Sequence, residues 1–121
     1  MRITEHGTCT VAACDPQGPA LDTVDDVTAV IGDALGAGAD WVALPVGRLP
    51  ARFFALRSRW AGEVLQKFVN YRLNVAVVGD IGPALAASAA LRDFVREANA
   101  GRQLWFVDSE ADLAARLAAG R

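Results

Sequence analysis

Residues 50–80 constrain this chain most: PARFFALRSRWAGEVLQKFVNYRLNVAVVGD. At about 100° per residue, Phe53, Leu56, Trp60, Ala61, Val64, Leu65 and Phe68 fall on one side of a helix, while Arg52, Arg59, Glu63, Gln66 and Asn70 fall on the other. A wide apolar stripe with a polar back is the pattern of a helix lying on a sheet. Pro50 suits a first turn, where its missing N–H is not needed. The spacing therefore predicts one long helix across residues 53–68. Pairs four apart, Arg59 with Glu63 and Glu63 with Lys67, are placed to attract each other. Gly62 costs about 1 kcal/mol in a helix interior, which predicts close packing against it. Arg57 projects into the apolar arc, where a guanidinium needs a partner or a route to water.

After an exit at residues 70–72 comes LNVAVV, nearly all apolar from Val75 on. Strands covered on both faces read this way, and parallel sheets are covered on both faces. Gly79-Asp80-Ile81-Gly82-Pro83 then marks a loop.

The flanking sequence repeats this theme. Ile3 to Glu5 and Thr8 to Cys14 predict two strands joined at His6-Gly7, a connection short enough only for an antiparallel hairpin. Asp15 to Pro19 is a loop. Thr23 and Asp26 form a capping-box pattern ahead of a helix from Val24 to Leu35, with Val24, Val27, Ile31, Ala34 and Leu35 inward. Asp22, Asp25 and Asp26 sit at its positive end, a sufficient structural reason for that acidic run. Gly36 and Gly38 end the helix. Asp40 to Val46 is a strand. A helix from about Leu85 to Asn99 turns Leu91, Phe94, Val95 and Ala98 inward and stops at Gly101. Gln103 to Val107 is the last strand, and Asp108 or Ser109 caps a final helix with Leu113 and Leu117 inward.

The expected fold is a single α/β domain over residues 1–121. An N-terminal β-hairpin leads into a mostly parallel five-stranded sheet with about four helices, in the order β-β-α-β-α-β-α-β-α. The chain is long enough for one core, and 53% apolar content argues against disorder. Its apolar runs are too short to cross a bilayer, and no apolar stretch follows Arg2, so the expectation is a cytoplasmic protein without a signal peptide. A net charge of −2, from 12 basic and 14 acidic residues scattered along the chain, gives no footprint for nucleic acid.

Cys9 and Cys14 lie an odd number of positions apart on one strand, so they point to opposite faces and do not pair. With His6 they make only three ligands of the wrong parity, so no metal site is expected. His6 itself sits at a turn and reads as solvated. Nucleotide-binding glycine patterns and a serine nucleophile elbow are missing, and no cofactor is implied. In sheets of this kind, ligands settle beyond the carboxyl ends of the strands. Those ends supply Arg48, Asp80 and Asp108, with Arg57 near the same rim. These four are the candidate site. The structural alternative is a buried ion pair or capping contacts; the functional one is a site for a small anion or carboxylate.

Several blocks carry a resemblance. Phe53-Phe54-x-Leu56, AGEVLQKF over residues 61–68, Asn70-Tyr71-Arg72 and VAVVGD over residues 75–80 resemble a small bacterial family, domain of unknown function 4180. Leu91-Arg92-Asp93-Phe94, Glu97, Asn99-x-Gly101-Arg102-Gln103 and Phe106-Val107-Asp108 continue the likeness over nearly the whole chain. The family implies no activity. The chain departs from it at Ala84 to Ala90, where an Ala-rich run replaces a polar helix start and speaks against a capping role for Ser88. More distantly, the element order resembles STAS-like domains of the anti-sigma-factor-antagonist type, which are cytoplasmic interaction modules often switched by serine phosphorylation. The corresponding junction, residues 45–50, has no serine, so the likeness implies fold only.

The leading expectation is a non-catalytic module that binds a protein partner or a small anionic ligand in a regulatory role. The alternative is a small enzyme or metabolite-binding protein using Arg48, Arg57, Asp80 and Asp108. A homodimer is the third arrangement, and it predicts an exposed apolar patch near Trp41, Trp60 or Trp105.

Overall fold

The computed structural model describes residues 1–119. Five strands form one sheet in chain order: β1 (Arg2–His6), β2 (Cys9–Ala13), β3 (Trp41–Pro45), β4 (Asn74–Val78) and β5 (Leu104–Val107). β1 pairs antiparallel with β2, and the other three pairings are parallel. The hairpin turns at Gly7 and Thr8, one residue later than the sequence suggests, because Gly7 takes the left-handed φ of 64° that the tight turn requires.

Five α-helices surround the sheet among the described residues: α1 (Val24–Gly36), α2 (Trp60–Asn70), α3 (Gly82–Ala87), α4 (Ala89–Ala100) and α5 (Glu110–Ala119). Strands stepping in one direction across a sheet, joined by right-handed crossovers, put their helices on one face. Ala12, Val42, Leu44, Val75, Val77, Leu104 and Phe106 accordingly pack with residues of α1, α2 and α4. The alternate positions Val11, Ala13, Trp41, Ala43, Ala76 and Trp105 face the other way. That face is covered by Leu113 and Leu117 of α5, which returns from β5 towards β1. Trp41 and Trp105 stack there with centroids 4.3 Å apart, and the Arg116 guanidinium lies 3.8 Å over Trp105.

The long central helix divides. Only residues 60–70 are α-helical, while Ala51–Phe53 and Leu56–Ser58 are single 3-10 turns. Ser58 explains the break: its hydroxyl donates to the Arg52 carbonyl at 2.6 Å and accepts from the Trp60 N–H at 3.2 Å. These local bonds compete with a continuous helical ladder. Arg59 then takes φ 65° before α2 begins. The apolar side still lands on the core: Phe53, Trp60, Ala61, Val64 and Phe68 are buried against β4 and its neighbours.

Four further expectations change. Val24 and Leu35 are 46% and 44% exposed, and Val30 takes a buried place with Val27, Ile31 and Ala34. The helix expected at residues 85–99 is two helices hinged at Ser88. Ser88 caps α4 after all, accepting from the Leu91 N–H at 3.0 Å; its neighbours are small, so the backbone can turn there. The Arg59–Glu63 and Glu63–Lys67 pairs do not form among the described residues.

Candidate functional site

The carboxyl ends of the parallel strands are built by three loops. After β2, residues 15–20 fold back over the end of β3. Arg48, in a 3-10 turn directly after β3, holds that loop: its Nε donates to the Pro19 carbonyl at 2.6 Å and its Nη1 to the Asp15 carbonyl at 2.8 Å. The Arg48 carbonyl in turn accepts from the Leu21 N–H at 2.7 Å. Gly18 fits this clamp because a Cβ there would stand 3.0 Å from the guanidinium carbon. Arg48 is thus occupied by backbone oxygens.

Asp80 follows β4. Its Oδ1 accepts from the Gly82 N–H at 2.8 Å, closing an Asx turn that starts α3. Asp108 follows β5 and is exposed. It lines a cavity of ≈ 150 Å³ with Ile81, Leu85, Val95, Asn99 and Phe106. Asn99 is itself engaged, its Oδ1 accepting from the Phe106 N–H at 2.7 Å.

Arg57 stands on the 3-10 turn before α2, exposed, and forms no ion pair among the described residues. With the helix starting only at Trp60, its place inside the apolar arc disappears. The four candidates therefore share one end of the sheet without forming the expected arginine–aspartate pair. Asp80 and Asp108 follow neighbouring strands, Arg48 is tied down, and Arg57 is open to water.

The remaining titratable features are structural. Burial pushes the Cys14 thiol up from its ordinary 9.0, opposed by the charge of Arg48. Cys9 and Cys14 are both free and sit against opposite faces of the sheet. The Asp26 carboxyl lies below its ordinary 3.8 because it accepts from the backbone N–H groups of Asp22 and Thr23, completing the capping box. Among the described residues, no three His, Cys, Asp or Glu side chains gather as a metal site, and no helix is long and apolar enough to cross a membrane.

A second surface was not foreseen. α1 and α2 both run back from parallel strands, so they lie side by side in the same direction. Between them is a groove of ≈ 420 Å³ lined by Val24, Val27, Trp60, Glu63, Val64 and Lys67, among others. Val24 and Leu35 lie eleven residues apart on α1, hence within about 20° of one line; Trp60 and the C-cap Tyr71 are related in the same way on α2, with Lys67 within about 40° of both. Val24 lines the groove at the start of α1, while Leu35 and Tyr71 lie beyond its lining, at the carboxyl ends of α1 and α2. These three are among five large apolar side chains that stand exposed. The signal was present in the sequence as helical periodicity. Periodicity alone turns Val24 and Leu35 inward, whereas the rotation of α1 against its neighbours leaves them in water.

The family profile for a domain of unknown function, DUF4180, matches residues 6–117. The chain belongs to that family. No curated protein matches it, and no solved structure does. For this DUF4180 protein the functional reading therefore rests on its own surfaces.

Proposed function

We propose that this DUF4180 protein is a non-catalytic α/β interaction module that works through the outer surface of α1 and α2. One observation carries the reading: Val24 lines the α1–α2 groove 46% exposed, and Leu35 and Tyr71, at the carboxyl ends of the same two helices, stand 44% and 49% exposed. Large apolar side chains scattered singly need no explanation, but gathered on two neighbouring helices they mark a surface that is covered in use. The rim gives weaker support to a binding role, since Arg48 and Asp80 are engaged in holding loops. A regulatory role in the cytoplasm, of the kind STAS-like modules play, is compatible with such a surface.

Variability across aligned members of the family tests this without knowing the partner. Positions 24, 35, 63, 67 and 71 should be restrained nearly as tightly as the buried core, while positions 57, 80 and 108 drift. The reverse pattern would move the working surface to the strand ends. That outcome would favour a second reading, a small ligand or substrate in the cavity beside Asp108.

A further inference from the structure

The geometry points to a second copy of this chain as the occupant of the α1–α2 groove, docked about a two-fold axis. This rests on the interaction-surface reading above and names its partner. An isologous interface must be self-complementary, because the same patch serves both sides. The groove meets that condition in charge. Glu63 and Lys67 line the same wall one helical turn apart, and neither side chain has an ion-pair partner among the described residues. A two-fold passing between them turns α2 against its copy in the opposite direction. Glu63 then faces Lys67 of the second copy, and the converse pair forms with it.

The same rotation satisfies the apolar residues. Val24, at the start of α1, is then brought towards Leu35 and Tyr71 of the second copy, at the carboxyl ends of its α1 and α2. All three are exposed in the single chain. The trailing edge of the surface is open to close approach, since a Cβ at Gly32 of α1 would meet nothing within 4 Å. Its helical cost is not repaid by contacts inside the chain. In the second copy's presence that gap admits neighbouring side chains. Gly62 of α2 is equally open, contrary to the close packing its sequence context predicts.

The area sets the expected strength. Two helices of this length, about 1.5 Å per residue and about 10 Å apart, bury roughly 1,000 Å² in total across such a face, near the lower limit for a specific interface. The dimer should therefore be weak and reversible.

Sedimentation of the whole chain over a concentration series tests this. The wild type should pass from monomer to dimer as concentration rises. Glu63→Lys sets like charges against each other and should weaken association about tenfold or more. The double variant Glu63→Lys with Lys67→Glu exchanges the charges and should restore association. Gly32→Leu should abolish it while leaving the far-UV circular dichroism and melting cooperativity intact, since the added side chain meets open space in the monomer. A wild type that stays monomeric at every concentration overturns the second copy as occupant. So does a dimer indifferent to Glu63→Lys, or one that the charge exchange fails to restore. If the chain is monomeric while the family comparison still restrains the groove positions, the surface belongs to a different protein. If those positions also vary freely, the interaction-surface reading falls with it.

Discussion

Replacing Gly32 by alanine should stabilise the monomer. The residue lies in the interior of α1, with helical backbone on both sides, and a Cβ there meets nothing within 4 Å. No positive φ opposes the change, and no contact is lost. What remains is the intrinsic cost of glycine in a helix, about 0.5–1 kcal/mol relative to alanine. With a urea dependence of about 1–3 kcal/mol per molar, the midpoint should rise by roughly 0.2–1 M. The melting temperature should rise by about 2–6 °C. Tryptophan fluorescence reports the transition, because Trp41, Trp60 and Trp105 are all buried. The measurement belongs at a concentration where the chain is monomeric, so that no interface contributes. Gly79→Ala is the control with opposite sign: φ is 138°, and a Cβ would stand 2.9 Å from the Val46 Cγ2. It should cost roughly 2–4 kcal/mol through strain and overpacking. A Gly32→Ala monomer no more stable than wild type would refute the reasoning, as would a Gly79→Ala variant that is not destabilised.

Arg72 holds φ 61° at the end of α2, where its N–H bonds the Val69 carbonyl and the Leu73 N–H bonds that of Phe68. Arg72→Gly removes the left-handed penalty and should add about 1 kcal/mol in urea unfolding. Asp26 titrates below its ordinary 3.8, so its stabilising contribution is present above that value and is lost as pH falls through the lower folded value. Asp26→Asn should flatten the acid limb of the stability–pH curve and leave its alkaline limb unchanged. Iodoacetamide at neutral pH should label half-buried Cys9 well before Cys14, whose thiol is buried and held protonated. Equal labelling in the native state would contradict the packing of Cys14 beneath α1.

The strand-end site was only partly legible. Strand ends and loop glycines put Arg48, Asp80 and Asp108 after β3, β4 and β5, where the structure also has them. Which carbonyls would capture the Arg48 guanidinium was not readable, since Asp15 and Pro19 reach it only after the loop folds over β3. Arg57 falls outside the apolar arc because the two local hydrogen bonds of Ser58 stop the helical period short of it. The α1–α2 groove was missed for a related reason: Val24 and Leu35 fit an apolar stripe, yet only four positions of α1 reach the core.

The sequence alone determined the alternation of strands and helices, the capping box at Thr23 and Asp26, and the opposed directions of the two cysteines. These depend on local periods and short-range hydrogen bonds that any chain with these residues would express. The tertiary structure decided where the central helix begins, which charges are engaged, and which apolar side chains remain in water. Each of those is settled by how a helix is rotated against its neighbour and how a loop returns across a strand end, and neither is encoded within a few residues of the position concerned.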